Sequence, residues 1–130
     1  MRRFGQTLVA LGALLAFGSA FMHGFMARRA VLGRLTADVA PETLAGLNAA
    51  WMLGTAAMVA FGALVLLGVR SLGREPASGR VSLIAGLFFL AYGAWAFTYR
   101  HFHPHFIGFM AIGVLMIAGA AIASRARART

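Results

Sequence analysis

Charge is missing from four long stretches of this chain, and that gap constrains the fold more than any motif does. Residues 4–27, 44–69, 81–99 and 106–123 contain no Asp, Glu, Lys or Arg. All 12 arginines and all three acids fall in the segments between them. An α-helix needs about 20 apolar residues to cross a hydrocarbon core about 30 Å thick. An arginine at the centre of such a helix costs about 2.5–3.5 kcal/mol on insertion scales. That cost explains the partition. Pro41, Pro76 and Pro104 obey the same rule and also lie between the runs. Backbone amides in hydrocarbon must bond within their own segment, so the runs are read as helices rather than open strands. The expected fold class is all-α. It is a four-helix transmembrane bundle forming one integral-membrane domain over 1–130, with helices over 4–27, 41–69, 81–100 and 105–123.

Composition narrows the alternatives. The chain is 61% hydrophobic, and a soluble domain of 130 residues needs far more polar surface than this. It contains no cysteine, which excludes disulfides, thiolate metal sites and thiol nucleophiles. The net charge of +9 comes from arginine alone, with no lysine. Basic chains often bind nucleic acid. Here the arginines sit at the ends of apolar runs, which fits lipid head groups and gives no nucleic-acid partner. Four crossings put both termini on one side, with Arg2, Arg3, Arg70, Arg74, Arg80, Arg125, Arg127 and Arg129. Arg28, Arg29, Arg34 and Arg100 fall on the other side. The positive-inside bias then predicts cytoplasmic termini and a multi-pass protein of the inner (plasma) membrane. The start of the chain also has a basic, apolar, then small-residue pattern like a signal peptide. The apolar run continues through Phe25 and Met26, which favours an uncleaved helix.

The chemistry-bearing residues gather at the predicted outer side. "YRHFHPHF" places His101, His103 and His105 at alternate positions between helices three and four. His23 lies near the outer end of helix one, between Met22 and Met26. Pro104 biases His103 toward extended backbone, and alternate residues of an extended segment point the same way. Imidazole is a common metal ligand. His23, His101, His103 and His105 therefore form a candidate metal or haem site, with Asp38 and Glu42 available on the same side. The competing reading is interfacial anchoring, with Tyr99, Phe102, Phe106, Trp51, Trp95 and Tyr92 as an aromatic belt. Asn48, near the outer end of helix two, is expected to bond His23 across the bundle. His23, Asn48 and Trp51 are thus the candidate cofactor-binding residues. Phe17, Phe21 and Phe25, and separately Phe88, Tyr92, Trp95 and Tyr99, make stripes that could hold a quinone or a haem edge. They also fit lipid-facing packing. Thr55 and Ser82 are expected to bond their own helices.

Small residues recur at sevenfold spacing: Gly5, Gly12 and Ser19 on helix one, Gly86 and Gly93 on helix three. Such faces let helices approach closely, and they offer a contact for a homo-oligomer or a membrane protein partner. No Ser-His-Asp set, carboxylate pair or phosphate loop appears, so an enzyme is not expected. No span carries Asp, Glu, Lys or Arg, and pumps generally need an ionisable group in the membrane; His23, near the edge of helix one, is the one candidate.

"FGSAFMHGF" in helix one, "GLNAAWMLGTAAMVAFGALVLL" in helix two and "HPHFIGFMAIGVLMIAG" in helix four resemble small DoxX-like inner-membrane proteins. The resemblance implies a four-helix bundle, with some relatives linked to redox systems, and assigns no catalytic residue. The leading expectation is a non-enzymatic accessory or interaction subunit of a membrane system. The second is a redox, metal, haem or quinone-binding membrane protein that uses the histidines. The third is a small-molecule transporter.

Overall fold

A computed structural model describes residues 1–35 and 39–127 of the chain, so Asp38 and Arg129 lie outside the described residues. The described elements are all helical. They are α1 (Arg2–Phe21), a π-helical turn (Met22–Ala27), α2 (Arg28–Leu35), α3 (Pro41–Gly68), a 3₁₀ turn (Val69–Ser71), α4 (Pro76–Tyr99), a second 3₁₀ turn (Pro104–Phe106) and α5 (Ile107–Arg127). Four continuous helical spans are long and apolar enough to cross a membrane: Arg2–Leu35, Pro41–Ser71, Pro76–Tyr99 and Pro104–Ala126.

The spans outrun the charge-free stretches. The first is 34 residues long, roughly 51 Å at 1.5 Å per residue, against a core of about 30 Å. Residues 28–35 were expected to be connection and are instead helix. α4 starts at Pro76 rather than at 81, and α5 runs to Arg127 rather than 123. The physical reason is that an apolar run marks where a helix lies in oil, whereas caps decide where it ends. Proline opens both α3 and α4 at the first helical position, where its missing N–H costs nothing.

α5 lies between α1 and α4, antiparallel to both; α1 also packs on α3, and α3 touches α4 more lightly. The core faces follow helical spacing. α1 buries Val9, Ala13, Ala16 and Ala20, and α5 presents Phe109, Ile112, Met116, Ala120 and Ala123. α4 adds Ala85, Phe89 and Ala96, with Ser82 satisfied by a bond to the Ser78 carbonyl. The glycine faces are used inside this bundle. A Cβ on Gly119 would stand 2.6 Å from the Gly5 carbonyl, and one on Gly113 would stand 2.6 Å from the Gly86 carbonyl. Gly12 and Gly93 also back onto α5. These glycines are therefore not free to seat a second copy, which removes the sequence argument for a dimer through them.

Candidate functional site

The end of the bundle opposite the termini collects all four histidines, both tryptophans and both tyrosines. It begins with the π turn. There the Arg28 N–H bonds back to the His23 carbonyl, five residues earlier. The wider turn leaves that carbonyl open to a second donor, and Trp51 Nε1–H on α3 supplies it at 2.8 Å. The His23 ring stacks on the Trp51 indole, with centroids 4.7 Å apart and planes 21° apart. Gly24 makes this approach possible, because a Cβ there would stand 2.7 Å from Thr55 Cγ2. Thr55 in turn donates to the Trp51 carbonyl at 3.0 Å, as its helix position predicts. The ring of His23 lies half-buried over α3 beside Gly54, and its two nitrogens make no hydrogen bond within the described residues.

Asn48 does not reach His23. Its Oδ1 accepts from Arg28 Nε at 2.6 Å instead. The reason is rotational. The π turn and the helix that continues beyond it bring Arg28 against α3 one to two turns beyond His23, which leaves the imidazole paired with Trp51.

The histidine hairpin is built around a helix cap. Arg100 ends α4, and His101 and Phe102 take left-handed backbone with φ of 52° and 63°. The Phe102 N–H bonds to the Phe97 carbonyl at 2.7 Å, and the His101 N–H to the Thr98 carbonyl at 3.2 Å. This pair of bonds is a Schellman cap, with its accompanying apolar contact formed by Phe97 and Phe102 at 5.3 Å. His101 thus occupies the position that usually belongs to glycine. The segment is a folded-back cap rather than a strand, so the alternation of its histidines does not put them on one face. His103 is extended, as Pro104 requires, and its Nδ1 accepts from the His105 N–H at 3.3 Å.

His101, His103 and His105 are all exposed. His105 rests on Phe106 and Phe109, and lies within electrostatic reach of His23. Among the described residues no three His, Asp or Glu side chains come together as a metal-holding group. Among the described residues His23, His101, His103 and His105 therefore do not converge on one centre, and Glu42 is exposed at the start of α3.

The aromatic stripe on α4 is a contact ladder. Phe88 stacks on Tyr92 at 6.4 Å, Tyr92 meets Trp95 at 6.1 Å, and Trp95 stacks on Tyr99 at 5.4 Å. Phe61 of α3 joins at Phe88, 4.9 Å away, and Phe109 joins at Tyr92, 5.4 Å away. The α1 stripe divides. Phe17 packs over Gly62 of α3, while Phe21 and Phe25 meet each other at 5.1 Å on an exposed face. Sequence reasoning missed the π turn, the Arg28–Asn48 bond and the capping role of His101. The last had a signal, since histidine is one of the residues enriched at positive φ.

Comparison with protein families, curated proteins and solved structures gave no match.

Proposed function

We propose that this chain is a multi-pass protein of the inner membrane, with both termini cytoplasmic, that works by binding rather than by catalysis as an accessory or interaction subunit. The supporting observation is the openness of α3. Of its 28 residues only Met58, Gly62 and Val65 are buried, so nothing from Pro41 to Ala57 is. In lipid, helices associate through close packing and interhelical hydrogen bonds rather than through hydrophobicity. A span left this open, next to three that pack closely, is the natural seat for a partner helix. The arginine distribution supports the orientation, and the likeness to DoxX-like bundles belongs to the same proposal.

Photo-crosslinking in native membranes tests it. A reactive group at Leu53 or Leu67, both well exposed on α3, is expected to give one protein adduct of discrete mass. The same group at Leu14 of α1 is expected to label lipid. Lipid adducts alone from all three positions would sink the proposal.

A second reading rests on the half-buried His23 ring, stacked on Trp51 with its nitrogens unbonded. Such a ring could ligate a haem or hydrogen-bond a quinone. Purified protein with no Soret band, no bound quinone and no stoichiometric metal removes that reading.

A further inference from the structure

Arg28 is held in an unusual place. Its Nε is fixed to Asn48, seven residues into α3. That is roughly 10 Å from the start of the helix at 1.5 Å per residue, and inside the charge-free run that begins at 44. The amide satisfies one donor but carries no charge, and a guanidinium has five N–H donors. Neither Arg28 nor Arg29 meets a carboxylate among the described residues; Glu42 stays exposed and pairs with neither. A fixed positive charge set into the apolar zone with no counter-charge among the described residues is expensive.

Both arginines open onto a groove of about 560 Å³ between α2 and the start of α3, lined also by Leu32, Pro41, Leu44 and Asn48. The α2 side carries Arg28, Arg29 and the aliphatic Leu32, and the α3 side carries Pro41, Leu44 and the amide of Asn48. α3 begins at the edge of this groove with no side chain capping its first amides, so the positive end of its dipole adds to the field.

We propose that this groove binds the phosphate of an anionic phospholipid. The Arg28 and Arg29 guanidiniums fork onto phosphate oxygens, which suit their planar donor geometry. The acyl chain runs over Leu32 and Leu44. A free phosphate offers the same oxygens but leaves Leu32 and Leu44 without a partner, which favours the lipid as its source. Asn48 is a positioning residue that presents Arg28 at this depth. The proposal requires the chain to lie in a bilayer and is independent of any protein partner.

The test uses the full chain, delipidated in neutral detergent and titrated with phosphatidylglycerol, phosphatidylcholine or inorganic phosphate. Native mass spectrometry and thermal unfolding are the readouts. One phosphatidylglycerol per chain is expected, raising Tm where phosphatidylcholine and inorganic phosphate do not. Arg28→Gln and Arg29→Gln are each expected to weaken that binding about fivefold. Arg34→Gln, exposed on α2 and outside the groove, is expected to bind as the parent does. Arg29 bonds to nothing else in the described fold, so Arg29→Gln keeps the test decisive even if Arg28→Gln unfolds. Parent-like binding by Arg29→Gln overturns the proposal, as does an equal response to phosphatidylcholine. An equal Tm shift from inorganic phosphate alone assigns the groove to a soluble anion and overturns the lipid assignment.

Discussion

α5 and α3 are both long apolar helices of similar composition, yet they are held in different ways. α5 is gripped on two sides, with Gly119 against Gly5 and Gly113 against Gly86, and with Phe109, Ile112, Met116, Ala120 and Ala123 buried. α3 buries three residues in its C-terminal half, and elsewhere is tied by discrete polar bonds from Trp51 and Asn48 to the first span. The contrast shows two ways to fix a helix in oil. One is backbone approach, which is unforgiving and continuous. The other is a few directional bonds at one end, which leaves the rest of the surface open for other uses.

The sharpest way to break this comparison is to add side chains where each helix has glycine. Gly113→Leu forces a side chain into the Gly86 carbonyl and the Leu90 backbone. It is expected to cost about 3 kcal/mol by overpacking, read from reversible unfolding in detergent micelles. Gly46→Leu on α3 meets nothing within 4 Å and is expected to change stability by less than about 0.5 kcal/mol. Equal losses would mean that α3 is packed as tightly as α5. Next in size is Met116→Ala, at a fully buried position. We expect a loss of about 2 kcal/mol, the low end of the usual range, because lipid is itself apolar and only packing is lost. Leu67→Ala on the exposed face of α3 serves as its near-neutral counterpart in the same unfolding assay.

Smaller effects sharpen the picture at the site. His101→Gly relieves a left-handed residue and is expected to stabilise by about 1 kcal/mol. A loss of stability instead would show that the imidazole makes a contact outside the described fold. Trp51→Phe keeps the ring stack on His23 but deletes the indole N–H to its carbonyl. It is expected to cost about 0.6 kcal/mol, typical of an interhelical bond in a membrane protein. The imidazole proton shifts in NMR should move only slightly.

The four spans were legible because the penalty that writes them is local: each arginine is excluded from oil residue by residue. Thr55 and Ser82 were legible for the same reason, since each bonds the carbonyl one turn back. The glycine faces were read correctly as close-approach surfaces, although their partner turned out to be α5 of the same chain. Helix ends were less legible. The connection expected over residues 28–40 gives up eight residues to α2, because nothing in 28–35 interrupts the helix. The site was legible only as a neighbourhood. His23 and Trp51 meet, but through a widened turn that no residue in Met22–Ala27 announces. Alternating histidines imply one face only on extended backbone, and the left-handed pair at His101 and Phe102 cancels that premise. Arg28 looked like an ordinary interfacial cation, and its bond to Asn48 depends on the rotation of two helices, which periodicity along one chain does not encode.

The six-residue π turn has a consequence for how this chain tolerates length changes. An i→i+5 turn holds one residue more than an i→i+4 turn, so Met22–Ala27 absorbs an extra residue while the helix on either side of it stays in phase. Removing one residue there would restore ordinary winding and leave Gly5 and Gly12 on α5 and Arg28 still facing Asn48. The same deletion in the regular winding of α1 would rotate everything beyond it by about 100° and unseat one end of the bundle from the other. The widened turn is thus the place in the first span where the loss of a single codon is absorbed.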